Sequence, residues 1–260
     1  MITLIRIELL KIRTTRAPFG LLAAAAGITA LIASLEAARA GGKFTPPLSS
    51  STGLSFVLTV TGFALLMALV FGVTVTSGEF RHGTATITYL GTPRRARVLA
   101  AKLAASFGCG LLFGAAGAAT ATAVGLAFTL GKGQAIAVGT ATMTRYGLGA
   151  MLGAGLLAAL GAGIGSLLRS QLAGVIGALA WCLVMEAVLG GVFSGLGRYL
   201  PFSATATALA GSRPGGGDVG FYSSDPARAL PFAAGTLLIA GIAAVIAGGA
   251  ARTTDRSDIT

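Results

Sequence analysis

Apolar residues run through this chain in six long blocks, about 17–35, 54–76, 98–130, 146–168, 172–193 and 230–250, separated by shorter polar stretches. A block of about 18 or more such residues is a membrane-helix candidate, so the pattern predicts six helical spans. The third block is too long for one crossing, and its start is expected to project into the interface. Ahead of the first block lies MITLIRIELLKIRTTR, in which Leu4, Ile5, Leu9 and Ile12 can share one helical face while Arg6, Lys11 and Arg13 lie toward lipid headgroups. Residues 1–16 therefore read as a helix lying in the membrane plane.

Composition supports this division. Of 260 residues, 54% are hydrophobic and 10% charged, and the mean hydropathy is +0.84; a soluble domain carries roughly 25% charged residues. A net charge of +11 raises the possibility of nucleic-acid binding, but the charges flank apolar blocks and form no basic face, so they read as anchoring charges. Ala38-Arg39-Ala40 resembles a signal-peptidase site, yet the preceding apolar run exceeds the roughly 7–15 residues of a signal peptide, and 17–35 is expected to stay as the first span. Cys109 and Cys182 both fall inside apolar blocks, which predicts free thiols rather than a disulfide framework or a zinc site. His82, the single histidine, has only Glu79 near it and reads as an interfacial polar residue; no metal site is expected.

Orientation follows from the distribution of Lys and Arg. With both termini inside, twelve fall on the cytoplasmic side and seven on the outer side, and the densest cluster lies between spans two and three. That cluster is GEFRHGTATITYLGTPRRARVLAAK (78–102). Thr76-Ser77-Gly78-Glu79 fits a capping box opening a new helix. Phe80, Thr84, Ile87 and Leu90 follow as a weak apolar stripe, Gly91 supplies a left-handed stop, and Thr92-Pro93 reads as the N-cap and first residue of the next helix. The expectation is a short, stiff cytoplasmic helix over 77–91, a sharp turn, then a basic re-entry into the membrane.

The order Glu79-x-Arg81-x-Gly83-Thr84, then Leu90, Pro93-Arg94-Arg95 and Lys102, resembles the signature of ABC type 2 transporter permeases, and its form EFRHGT…TPRR…AAK is similar to that of actinobacterial members. These are the membrane subunits of ATP-binding-cassette exporters, including drug and antibiotic efflux systems. The resemblance covers the whole chain and implies one permease domain, 1–260. Its fold is an all-α membrane protein: six spans, an N-terminal interfacial helix, a cytoplasmic coupling helix between spans two and three, and re-entrant helices before span six.

The resemblance also implies roles. Glu79, Phe80, Arg81, His82, Gly83, Thr84 and Ile87 would couple to the ATPase, and Pro93, Arg94, Arg95 and Lys102 would form the turn and basic re-entry. Leu200, Pro201 and Phe202 would belong to an outer re-entrant segment over 190–211, where Gly195, Gly197 and Pro201 also break an otherwise apolar run. The implied partners are two cytoplasmic ATPase subunits, a second permease copy and membrane lipids, with no nucleic acid. ATP and Mg would be used by the partner subunit and no cofactor would be held here. The implied location is the bacterial plasma membrane, multi-pass, with both termini cytoplasmic.

No catalytic constellation is expected. GLAFTLGKG (125–133) has the wrong spacing for a phosphate loop and lacks Ser or Thr after Lys132. Glu186, about 14 residues into span five, is the one acidic residue predicted deep within a span; it reads either as a pathway or proton-linked residue or as a hydrogen-bonded carboxyl at a helix interface. An ion-gradient-driven transporter or channel is the alternative to an exporter subunit, though it would call for intramembrane ionisable relays and half-repeats. A membrane-embedded enzyme or sensor is a third class. Pairs of Gly at four-residue spacing (110/114, 149/153, 161/165, 191/195) are assigned to packing within the bundle.

Overall fold

The computed structural model describes residues 1–43, 45–81, 95–168, 170–193, 196, 199–202 and 232–256, with the backbone alone at 80, 81, 95, 191, 232, 247 and 250–256. Every regular element among them is helical. They are α1 (Ile2–Thr14), α2 (Ala17–Arg39), α3 (Ser51–Thr59), α4 (Gly62–Arg81), α5 (Arg95–Gly131), α6 (Thr140–Leu168), α7 (Gln171–Ala180), a π-helical turn (Trp181–Met185), α8 (Glu186–Val192) and α9 (Phe232–Arg256).

Five stretches are long and apolar enough to cross a membrane: Ala17–Arg39, Ser51–Glu79, Ala96–Gly131, Thr140–Leu168 and Gln171–Gly190. The sixth apolar block lies in α9, which includes the apolar helical stretch Ala233–Ile246. The second stretch is interrupted at its seam. Val60 and Thr61 donate to Val57 and Leu58 three residues back, and the Thr61 hydroxyl takes the Leu58 carbonyl at 2.7 Å, so the chain tightens before α4 begins at Gly62.

α6 lies at the centre, against α4, α5 and α9, while α2 packs along α5 and α4, and α7 along α4. The centre is built from small residues because lipid supplies no hydrophobic drive between helices, and close backbone approach must replace it. A methyl on Gly72 or Gly161 would collide with the carbonyl of Ala158 or Leu69 across the α4–α6 crossing, and one on Gly165 would sit 2.7 Å from the Val73 carbonyl. On the other side, a methyl on Gly110 would meet the Ala154 carbonyl at 2.6 Å across the α5–α6 contact. The 110/114 and 161/165 pairs thus do pack the bundle. Beside them the Phe71 and Phe113 rings tilt at 33° with centroids 5.1 Å apart.

At the end of the bundle opposite α1, Lys132 closes the C-terminus of α2. Its ammonium donates to the carbonyls of Ala37 at 2.9 Å and Ala40 at 3.2 Å. A cation there satisfies orphan carbonyls and complements the negative end of the helix dipole.

Candidate functional site

The chain's charge is drawn together where α1, the end of α4 and the start of α5 meet. Four side chains form a closed ring of ion pairs. Lys11 Nζ lies 3.1 Å from Glu8 Oε1 and 3.0 Å from Glu79 Oε1. Lys102 Nζ lies 3.1 Å from Glu8 Oε2 and also pairs with Glu79 Oε1. The side chains of Glu8 and Lys102 are 5% and 3% exposed, Glu79 12% and Lys11 40%, so one corner of the ring faces out and the rest is enclosed. Two carboxylates and two ammoniums cancel, which is what makes burial of so much charge tolerable: each ion has two partners of opposite sign at hydrogen-bonding distance. Burial of the Lys11 ammonium pulls its pKa down. The hydrogen bond and charge of Glu79, and then those of Glu8, outweigh this and hold it above its ordinary value.

This arrangement corrects one expectation. Glu79 does not reach back to cap a new helix at Thr76, because no helix begins there. α4 continues to Arg81, and the hydroxyls of Thr76 and Ser77 donate to Gly72 and Val73 one turn back. The helix continues because its Gly72–Ser77 stretch is packed on α6, and because Glu79 is already engaged by two lysines. The expected 77–91 helix is therefore, over 77–81, the last turn of α4.

Of the expected apolar face of α1, Leu4 and Ile5 are half-buried and Ile12 buried, and charged side chains share that side. Glu8 and Ile12 are buried and Lys11 half-buried, whereas Leu9 is 40% exposed. Lys11 pairs into the ring while its side chain stays 40% exposed. Lys102, expected in the basic re-entry, is 3% exposed and bound on two sides.

The signal for Glu8 and Lys11 was present as an acid–base pair at helical i, i+3 spacing. Its partners lie 68 and 94 positions away, and nothing local indicates them.

The remaining residues of the basic stretch fall differently. His82, Gly83, Thr84, Ile87, Leu90, Pro93 and Arg94 lie outside the described residues, and so does the Thr92-Pro93 cap. Phe80 and Arg81 end α4 and Arg95 opens α5, each as backbone only. Since Glu79 and Lys102 pair directly, the helices entering and leaving the 82–94 segment are clamped together at its base.

A second cluster surrounds Glu186. The π-helical turn ends there, with the Glu186 amide donating to the Trp181 carbonyl. Its side chain is 1% exposed, and Oε1 accepts from the Phe202 amide at 2.9 Å. Leu200 and Phe202 are buried and Pro201 half-buried. α8 stops at Val192, and the chain returns so that residue 202 meets a carboxyl 16 positions earlier. Residues 203–211 of the expected outer segment lie outside the described residues. Beneath this contact is an apolar cavity of about 360 Å³ bordered by Leu69, Ile164, Trp181, Cys182, Pro201 and Ile242, among others. Neither Cys182 nor Cys109 is in a disulfide.

The chain matches no family model and no curated protein sequence.

Proposed function

We propose that this chain is the transmembrane permease subunit of an ATP-binding-cassette exporter. One observation supports it above the others. Glu79 and Lys102, which bracket the stretch carrying the permease-like motif, are paired at its base and tied to α1. A segment meant to receive force from a soluble motor needs a stiff mounting, and the ion-pair ring supplies one. The EFRHGT…TPRR…AAK resemblance supplies the identity of the motor: two cytoplasmic ATPase subunits that bind ATP and Mg, docking on Glu79–Ile87.

In this reading α9 is the sixth span, α1 lies in the plane of the plasma membrane, and both termini are cytoplasmic. The segment after α8 re-enters the outer leaflet, and two copies of the chain enclose the pathway. The cargo is a hydrophobic or amphiphilic compound. Apolar side chains left exposed on α7, the π turn and α8, among them Leu172, Ile176, Val184 and Val188, suit a surface facing lipid or a second copy.

The ion-gradient alternative would rest on Glu186. Its carboxyl holds a backbone amide of the same chain, which favours the structural role, so that reading is not advanced. The experiment first asks whether a neighbouring reading frame encodes a soluble Walker-motif ATPase, then co-expresses that subunit with this chain and purifies the membrane complex. Retention of the ATPase, weakened by replacing Arg81 and Thr84 while membrane insertion persists, is the expected result. A chain that retains no ATPase, or retains it equally after that double substitution, would overturn the docking assignment.

A further inference from the structure

The helix α1 is held in an unusual way. Its large apolar side chains Ile2, Ile7, Leu9 and Leu10 are exposed, and Ile12 is the one that joins the main core. The inward side carries Glu8 and Lys11 together with Leu4, Ile5 and Ile12, so the ion pairs share with apolar contact in fixing the angle at which α1 sits. The ring that does this is closed: Glu8 uses one oxygen for Lys11 and the other for Lys102, and both ammoniums meet again on Oε1 of Glu79.

A closed ring has a mechanical consequence. Were Glu79 joined to Lys102 alone, displacement of the 82–94 segment would be shared between α4 and α5, and α1 could remain in place. With Lys11 on the same Glu79 oxygen and Glu8 on the same Lys102 ammonium, α1 cannot shift against either stem without separating charges in a largely enclosed site. Separation there is opposed more strongly than at a hydrated surface.

We propose that Glu8 and Lys11 are positioning residues that make α1 a moving part of the coupling unit, so that a displacement delivered to the 82–94 segment travels through Glu79 to α1 and α5 together. This inference rests on the exporter reading. It adds that the N-terminal helix is a transmitting element as well as an anchor, and it assigns the transmission to a four-residue ring.

Hydrogen–deuterium exchange of the complete complex, permease with its ATPase subunits in lipid nanodiscs, tests this without knowledge of the cargo. Exchange over residues 2–14 and over 82–94 is compared between nucleotide-free and ATP-bound, hydrolysis-arrested states. The wild-type complex is expected to show a nucleotide-dependent change in both segments. Glu8→Gln, which keeps shape and hydrogen-bonding capacity but removes the charge, should lose the change in 2–14 and retain it in 82–94. Lys102→Arg, which keeps the charge, should preserve both.

A merely structural ring would raise exchange of α1 equally in both nucleotide states and leave the difference intact; that result overturns the proposal. So does a wild-type complex in which 82–94 responds and α1 does not, while the exporter reading stands. Failure of the chain to hold an ATPase, or absence of any nucleotide response, overturns both. If Glu8→Gln does not accumulate, Lys11→Met breaks the α1–Glu79 link at the half-exposed corner and is expected to show the same selective loss; retention of the α1 response in that variant overturns the proposal.

Discussion

Lys102 and Glu8 lie 94 positions apart in sequence and 3.1 Å apart in space, and each is almost wholly shut off from solvent. Neither residue could be buried alone. An ammonium inside α5 and a carboxylate inside α1 are tolerated because each neutralises the other, with Lys11 and Glu79 completing the balance.

Removing Lys102 leaves two enclosed carboxylates sharing the single ammonium of Lys11, one charge short of balance; breaking a buried pair typically costs about 3–5 kcal/mol. Lys102→Met is therefore expected to lower the thermal stability of the detergent-solubilised protein strongly. Lys102→Arg should lower it little. The double variant Glu8→Gln/Lys102→Met should be less destabilised than the sum of its single changes, because the cost lies in the orphaned charge. Additive losses in that cycle would mean that the two residues act independently.

The pH dependence of α1 docking has a definite sign. The folded-state pKa of Lys11 is raised above the ordinary 10.5, so its contribution is fully present below about pH 10.5 and disappears as the pH rises through the folded value. Protease accessibility of the Arg6 and Arg13 bonds in α1, corrected for the protease's own pH profile, should be flat across neutral and mildly alkaline pH and rise only at the alkaline extreme. A rise beginning near neutrality would show that a different group controls the docking.

Glu186→Gln retains a side-chain oxygen that can accept from the Phe202 amide, and it should fold with near-native stability. Glu186→Leu leaves that buried amide without this acceptor, a loss of about 1–3 kcal/mol for an unsatisfied buried group. Comparing the melting temperatures of the two variants checks whether the carboxyl acts as a tether for residues 199–202. If export proves altered in Glu186→Gln while stability is unchanged, the carboxyl has a role in the pathway as well.

Two helical glycines should respond in opposite directions to the same methyl group. At Gly161 the added atom would strike the Leu69 carbonyl, whereas at Gly108 it would meet nothing within 4 Å. Gly161→Ala should disrupt the α4–α6 crossing and reduce the yield of folded protein. Gly108→Ala should be neutral or stabilising by up to about 1 kcal/mol, the helix-propensity difference between the residues. Equal behaviour of the two variants in a folding assay would argue against the close crossing.

Much of the helical architecture is legible in the apolar blocks, because a membrane-length run must satisfy its backbone internally and helix is the direct way to do so. The second block shows the limits of such reading. Expected over 54–76, it runs instead from Ser51 to Arg81 with an interruption at Val60 and Thr61. Hydropathy senses the apolar interior of a span and not the polar turns that extend it. The same blindness produced the capping box at Thr76. Thr-Ser-Gly-Glu is compatible with a helix start, but equally with a helix interior whose hydroxyls bond one turn back and whose Glu has distant partners.

Local sequence determined that the chain is apolar and helical, where its long spans lie, that its thiols are placed among apolar residues, and that its charge is concentrated around 78–102. Those properties depend on runs and spacings within a few turns of helix. Only the tertiary structure decided that Glu8, Lys11, Glu79 and Lys102 form one ring, that α1 turns Glu8 and Lys11 inward beside Ile12, and that Glu186 holds the Phe202 amide. Burying an ion depends on the sum of charges brought within a few ångströms, and three different helices set that sum here.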